Sequence, residues 1–297
     1  MRVATIDIGT NTVLLLVAEG GGGAAMRAVA ERATITRLGQ GVDRTRQLAP
    51  EAVKRTTECL AEYAEAVKAS GATRIAVVGT SAMRDARGGE VVKMAVHELL
   101  GVWARVISGQ EEARLTFRGA LSGMPAQDGD AVVFDIGGGS TEVVAGRMQP
   151  FALSLSESFD VGSVRLTERH GEDTAAIAAS AREAFAKLPA IAPGTVPVGV
   201  AGTMTTLAAV ELGLVPYDGA RVHGHTMTKG ALEEVVARLS ALDVEARRKV
   251  AGMEPKRADV IVAGGHIALA LLAHWGADAV RVSDRGVRWG LAEELAG

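Results

Sequence analysis

Ala131-Val132-Val133-Phe134-Asp135-Ile136-Gly137 repeats the logic of Val3-Ala4-Thr5-Ile6-Asp7-Ile8-Gly9. Each is an apolar run that ends in Asp-Ile-Gly, passes through a small polar turn and resumes as a second apolar run, at 12–18 and at 142–146. Such a pattern reads as strand, turn and strand. Chance recurrence of a tripeptide would not bring matching strands with it, so internal duplication is the economical explanation.

Working outward, residues 26–36 read as another strand. Pro50 opens a helix whose Val53, Leu60, Tyr63, Ala64 and Val67 fall at helical spacing, and Gly71 stops it. Residues 74–79 form a buried strand, 88–100 a helix ended by Gly101, 102–107 a strand, and a further helix starts near Glu111. Strands alternating with helices indicate an α/β fold. The Pro125–Asp130 segment is the expected boundary, giving domains 1–125 and 126–297. Val260 to Ala277 is uncharged, but Gly264, Gly265, His266 and His274 interrupt it. A turn running into a core helix is expected there, with no membrane span.

Composition narrows the function. The 297 residues carry 32 Lys and Arg against 35 Asp and Glu, a net charge of −3, so no global basic field points to nucleic acid. Cys59 is the single cysteine and supports neither a disulfide framework nor a thiolate metal site, which makes a reducing cytoplasm the expected compartment. Asp7 arrives too early for a signal-peptide core. Aromatics are 3% while glycines number 36. Stacking platforms are therefore scarce, and sites built from backbone are easy to make.

Asp7-Ile8-Gly9-Thr10-Asn11-Thr12 is the first candidate site. A glycine turn lets successive N–H groups point at one anion, and Thr10 and Asn11 add short side-chain donors. Asp7 can hold Mg²⁺ directly or through water. An ordinary hairpin turn is the plain alternative. Asp135-Ile136-Gly137-Gly138-Gly139-Ser140-Thr141-Glu142 is more specific. Gly137, Gly138 and Gly139 expose N–H groups with no Cβ in the way, Ser140 adds a hydroxyl, and Asp135 and Glu142 suit a hard cation. A third turn, Gly202-Thr203-Met204-Thr205-Thr206, enters an apolar helix at Leu207 and reads equally as anion site or plain cap. Arg84, after a buried strand and a Gly-Thr-Ser turn, can grip phosphate bidentately or pair with Asp85. Glu111 and Glu112 follow Ser108-Gly109 at a helix start, where a carboxylate can act as general base or simply suit the helix end. His223 and His225 show no metal spacing and are expected to be solvated or hydrogen-bonded; Met204 and Met227 are expected to fill core gaps. No P-loop or Rossmann glycine pattern occurs.

Three phosphate-type turns on a duplicated framework resemble the actin, Hsp70 and sugar-kinase superfamily. More closely, the chain resembles the exopolyphosphatase and guanosine pentaphosphate phosphohydrolase (Ppx/GppA) family. The resemblance runs nearly end to end, through Arg37-Leu38-Gly39-Gln40-Gly41, Gly79-Thr80-Ser81-Ala82-Met83-Arg84, Ser108-Gly109-Gln110-Glu111-Glu112-Ala113 and Ser283-Asp284-Arg285-Gly286. It implies two ribonuclease-H-like, actin-like α/β domains facing a central cleft, in the short form without the family's additional C-terminal domains. It also implies Glu112 as the general base and Arg84 as a phosphate ligand. The expected activity is Mg²⁺-dependent release of orthophosphate from inorganic polyphosphate, with Mg²⁺ near Asp7, Asp135 and Glu142. Hydrolysis of pppGpp is the alternative, followed by an ATP-dependent kinase, a non-catalytic alarmone or polyphosphate sensor, and a filament former. The expected partners are inorganic polyphosphate or guanosine polyphosphate, without nucleic acid or membrane, and a homodimer is compatible with the resemblance.

Overall fold

The structure is a computed structural model that describes residues 1–21, 24–124, 130–193 and 195–297. All but Asp130 of the expected boundary segment lies outside the described residues. The chain forms two compact units. One comprises Met1–Gly123 with Val287–Gly297, and the other Met124–Gly286.

The first unit runs β1 (Arg2–Ile8), β2 (Thr12–Gly21), β3 (Ala24–Ile35), α1 (Val42–Thr45), α2 (Pro50–Ser70), β4 (Arg74–Gly79), α3 (Ser81–Asp85), α4 (Gly89–Leu100), β5 (Arg105–Val106) and α5 (Gly109–Leu121). Its sheet order is β3-β2-β1-β4-β5. β1 pairs antiparallel with β2 and parallel with β4, while β2 pairs antiparallel with β3. Side chains alternate across β1 as a strand period requires. Ala4, Ile6 and Ile8 join Leu60, Tyr63 and Val96 of α2 and α4 on one face, and Val3 faces the opposite way. The expected strand over 102–107 shortens to two paired residues.

The second unit continues with β6 (Ala131–Ile136), β7 (Thr141–Met148), β8 (Phe151–Phe159), α6 (Ser163–His170), α7 (Thr174–Phe185), β9 (Val198–Val200), α8 (Ala201–Leu212), α9 (Gly219–Val222), β10 (Thr226–Thr228), α10 (Lys229–Ser240), α11 (Val244–Arg247), α12 (Ile261–Trp275) and β11 (Ala279–Val282). Its sheet order is β10-β11-β9-β6-β7-β8. Read from β8, the first five strands reproduce the order and directions of the first unit, and β10 is added antiparallel at the far edge. The inferred duplication is thus present in strand topology. Phe134, Phe185, Met204, Leu207, Met227 and Leu271 share one core, so the two methionines fill core gaps as expected. The uncharged stretch after Val260 is α12, a largely buried helix. Among the described residues no helix is long and apolar enough to cross a membrane.

One expectation needs correction. Residues 126–297 do not stay together, because α13 (Val287–Ala296) belongs to the first unit. Its Trp289, Ala292 and Ala296 are buried against Val3, Leu16 and Ala18, and its Val287 and Leu291 against Val78, Ile107 and Leu115. The helix lies so close to α5 that a Cβ on Gly290 would overlap the Leu115 carbonyl. Thr5 Oγ1 donates to the Arg288 carbonyl at 2.9 Å, and Arg114 Nη2 meets Glu294 Oε2 at 3.1 Å. Among the described residues, α13 is what covers Val3, Leu16 and Ala18 on that face of the first sheet.

Candidate active site

Both Asp-Ile-Gly turns have the same construction. Ile8 pairs with Val13 and Ile136 with Thr141, so Gly9–Thr12 and Gly137–Ser140 are the two loops. Each closes on itself, with Gly9 N donating to Thr12 O at 3.1 Å and Gly137 N to Ser140 O at 2.9 Å. The Gly137 amide is therefore spent inside the hairpin, which corrects its expected role as a phosphate donor.

In each loop a neighbouring segment captures the carbonyls. Gly39 N donates to Thr10 O at 2.8 Å, and Thr36 N and Arg37 N converge on Asn11 O at 3.0 and 2.9 Å. Arg37 takes a left-handed φ of 51°, which turns the chain after its amide has bonded Asn11 O. Gly39 leaves room for the Thr10 side chain, since a Cβ there would overlap Thr10 Cγ2 in its present rotamer. In the second loop the α6 N-terminus does the same work. Ser163 N donates to Gly137 O at 2.9 Å, Val164 N and Arg165 N to Gly138 O at 2.9 and 3.0 Å, and Arg165 Nε to Gly139 O at 2.6 Å. Across a planar trans peptide the C=O and the following N–H point in opposite directions. The amides of Asn11 and Thr12, and those of Gly138, Gly139 and Ser140, therefore face away from their braces. The second set is a row of oriented donors suited to an anion.

Asp7 is the penultimate residue of β1 and is 8% exposed, and its Oδ1 has no hydrogen-bond partner. Burial, reinforced by the Glu112 carboxylate and opposed by the Arg288 guanidinium, pushes its carboxyl up to about 7. Arg288, delivered by α13, escaped sequence reading, because it lies just beyond the Ser283–Gly286 motif.

The structure separates the two glutamates. Ser108 caps α5 by accepting from Glu111 N at 3.2 Å, so both carboxylates stand in the first helical turn. Glu111 pairs with Arg105 at 2.8 Å. Glu112 is held by Arg84 Nη1 at 3.1 Å, and the same nitrogen donates to Ile107 O at 2.9 Å. Arg84 also lies 3.7 Å from Asp85. Asp7, Arg84 and Glu112 thus form one charged group in the first unit, and Glu111 lies outside it.

In the second unit Asp135 stands directly opposite Glu142 in the β6–β7 register. Glu142 Oε1 accepts from Ser140 Oγ at 2.6 Å and Ser158 Oγ at 2.8 Å. Opposed carboxylates repel unless donors or a cation lie between them. The duplicated position in the first unit is Leu14, paired with Asp7, so the two halves have diverged in chemistry. Among the described residues no three His, Cys, Asp or Glu side chains are grouped as a metal site. What is present is the orphaned Asp7 Oδ1 in one unit and an opposed acid pair in the other. Carboxylate oxygens are hard donors of the kind Mg²⁺ takes while it keeps most of its water, and each unit presents its own.

The third turn differs from expectation, since α8 begins at Ala201 and not at Leu207. Thr203 Oγ1 donates to Ile136 O at 3.0 Å and Thr205 Oγ1 to Ala201 O at 3.1 Å, so these hydroxyls are structural. Gly202 makes room for Arg257, whose guanidinium lies where a Cβ would be. Arg165 and Arg257 are cations at glycine turns that sequence reading missed. The glycines themselves were the only signal. His225 bonds Glu211 at 2.8 Å and His223 bonds Ser283 at 3.2 Å, so both histidines are hydrogen-bonded.

A family model described as the Ppx/GppA phosphatase family matches residues 16–296. The chain belongs to that family. Exopolyphosphatase 2 of Mycobacterium tuberculosis is 40% identical over 318 residues, covering 100% of this chain and 99% of the relative. A guanosine-5'-triphosphate,3'-diphosphate pyrophosphatase of Vibrio atlanticus is 28% identical over 302 residues, covering 98% of this chain and 59% of that relative. The solved Ppx/GppA enzyme of Aquifex aeolicus matches with a TM-score of 0.82 and 33% identity, covering 99% of each chain. This Ppx/GppA chain therefore has the family's actin-like, two-domain α/β fold and is a phosphatase by membership.

Proposed function

We propose that this Ppx/GppA phosphatase is an exopolyphosphatase, releasing orthophosphate from the end of inorganic polyphosphate. One observation carries the reading beyond family membership. Glu112 is selected from two adjacent glutamates by Arg84 and placed within electrostatic reach of the buried Asp7.

In this reading the amides of Gly138, Gly139 and Ser140, with the side chains of Thr10 and Asn11, bind the terminal phosphoryl oxygens. Arg84 steadies the Glu112 carboxylate and offers its remaining donors to phosphate. Glu112 orients a water and takes its proton as the water oxygen bonds to phosphorus. The bridging P–O bond breaks, and the shortened polyphosphate leaves. Mg²⁺ held through Asp7, Asp135 and Glu142 would supply charge neutralisation on the phosphoryl group. Phosphoryl transfer asks mainly for positioning and charge stabilisation, which oriented amides provide without reorganising. The cytoplasm is the proposed compartment.

The test is phosphate release from long polyphosphate, tripolyphosphate, pppGpp and ATP, each with and without Mg²⁺. Mg²⁺-dependent release from polyphosphate above the other substrates is expected. The pppGpp reading, favoured by the Vibrio relative, wins if pppGpp is preferred. Inactivity on all four would remove the hydrolase reading.

A further inference from the structure

The segment that braces the first loop also gathers positive charge. Arg44 lies in the last turn of α1, and Arg46 is its C-cap. Arg87 N donates to Arg46 O at 3.0 Å, and Leu48 N donates to Arg87 O at 3.0 Å, so Arg46 and Arg87 stand on adjacent backbone strands. Arg55 fastens the segment through Thr36 O at 2.9 Å and Gln40 Oε1 at 3.3 Å. All four arginines are exposed. No described carboxylate pairs with Arg44, Arg46 or Arg87, whereas Arg84, three residues before Arg87, is engaged with Glu112. Gly39, five residues before Arg44, ties this segment to the loop through Thr10 O.

Gathering unpaired guanidinium groups in a chain of net charge −3 costs repulsion that a polyanion relieves. Guanidinium groups bind phosphate oxygens bidentately. Residues 36–48 and 80–90 contain no aromatic side chain on which a base can stack. We propose that Arg44, Arg46 and Arg87 form a distal subsite for linear polyphosphate, binding phosphates several units from the end undergoing hydrolysis. The proposal rests on the exopolyphosphatase reading for the identity of its ligand.

The test compares the intact chain with the triple variant Arg44→Gln, Arg46→Gln, Arg87→Gln and with the matching triple Lys variant. Long polyphosphate and tripolyphosphate are titrated for binding and assayed for kcat and KM. In the Gln variant the Kd and KM for long polyphosphate rise about tenfold or more, and the slope of log affinity against log salt falls by about 2. Its tripolyphosphate constants stay unchanged, and the Lys variant recovers most of the affinity. Equal changes for both chain lengths, or no change for either, overturn the subsite. So does a larger loss for single-stranded nucleic acid than for polyphosphate. Failure of the intact chain to release phosphate removes the catalytic reading alone, because the binding comparison still decides the subsite.

Discussion

Glu111 and Glu112 stand about 100° apart around the helix, and that rotation separates a surface ion pair from the position proposed for the general base. Glu111→Gln breaks only an exposed contact with Arg105, worth at most about 1 kcal/mol. Glu112→Gln keeps shape but loses the proton acceptor. Its kcat should fall about 10²–10⁴-fold with polyphosphate binding nearly intact, while Glu111→Gln stays close to normal. Steady-state kinetics and a binding titration on both variants check this, and near-normal turnover in Glu112→Gln removes it from the mechanism. Asp7 gives a second prediction. Its carboxyl moves from 3.8 to about 7 on folding, so the folded chain holds a proton that the unfolded chain has released. The associated stability is complete below 3.8 and is lost as pH rises through about 7. Asp7→Asn carries no charge at either pH, so its thermal stability relative to the parent should rise from pH 5 to pH 8. The gain should be on the order of 2 kcal/mol, read by melting curves across the range. A difference that does not vary with pH would contradict the buried, unpartnered placement.

At the scale of elements, the loops depend on what grips them from behind. Gly162, just before α6, approaches Gly138 so closely that a Cβ would overlap the Gly138 carbonyl. Gly162→Ala should cost about 1–3 kcal/mol in urea denaturation. It should also raise KM for both short and long polyphosphate, because the displaced peptide carries the Gly139 amide with it. Unchanged KM would mean that the loop does not bind substrate. Part of this was legible beforehand. The paired apolar runs around Asp7 and Asp135 gave both hairpins, since a two-residue period is written in the chain itself. The direction of each loop's amides was not legible, because it is set by Thr36, Arg37 and Gly39 in one unit and by Ser163, Val164 and Arg165 in the other. Periodicity carries no information about such distant backbone partners. Gly202 is similar, a glycine whose reason is the Arg257 guanidinium lying against it.

At the scale of the molecule, the α/β class and the duplication could be read from the order of strands and helices. The membership of α13 could not. Nothing local to Trp289 reveals that its burial partners are Val3 and Leu16 at the opposite end of the chain. The two units should consequently behave differently when cut apart. Residues 124–286 are continuous and carry their own core, so that fragment should fold cooperatively. Residues 1–123 alone leave the α13 face of the sheet bare and should be molten or insoluble. Adding 287–297 through a flexible linker should restore cooperative unfolding. Circular dichroism and denaturant titration of the three proteins check this, and a cooperative 1–123 fragment would contradict the packing.

The discontinuity of the first unit also sets an order of events during synthesis. When Gly123 leaves the ribosome, the helix that seals its sheet lies beyond the whole second unit. At about 5–20 residues per second that helix follows on the order of ten or more seconds later. The unit whose synthesis begins first is therefore the one completed last. Until then Val3, Leu16 and Ala18 offer an open apolar sheet face to the cell, a natural target for chaperones that hold nascent chains.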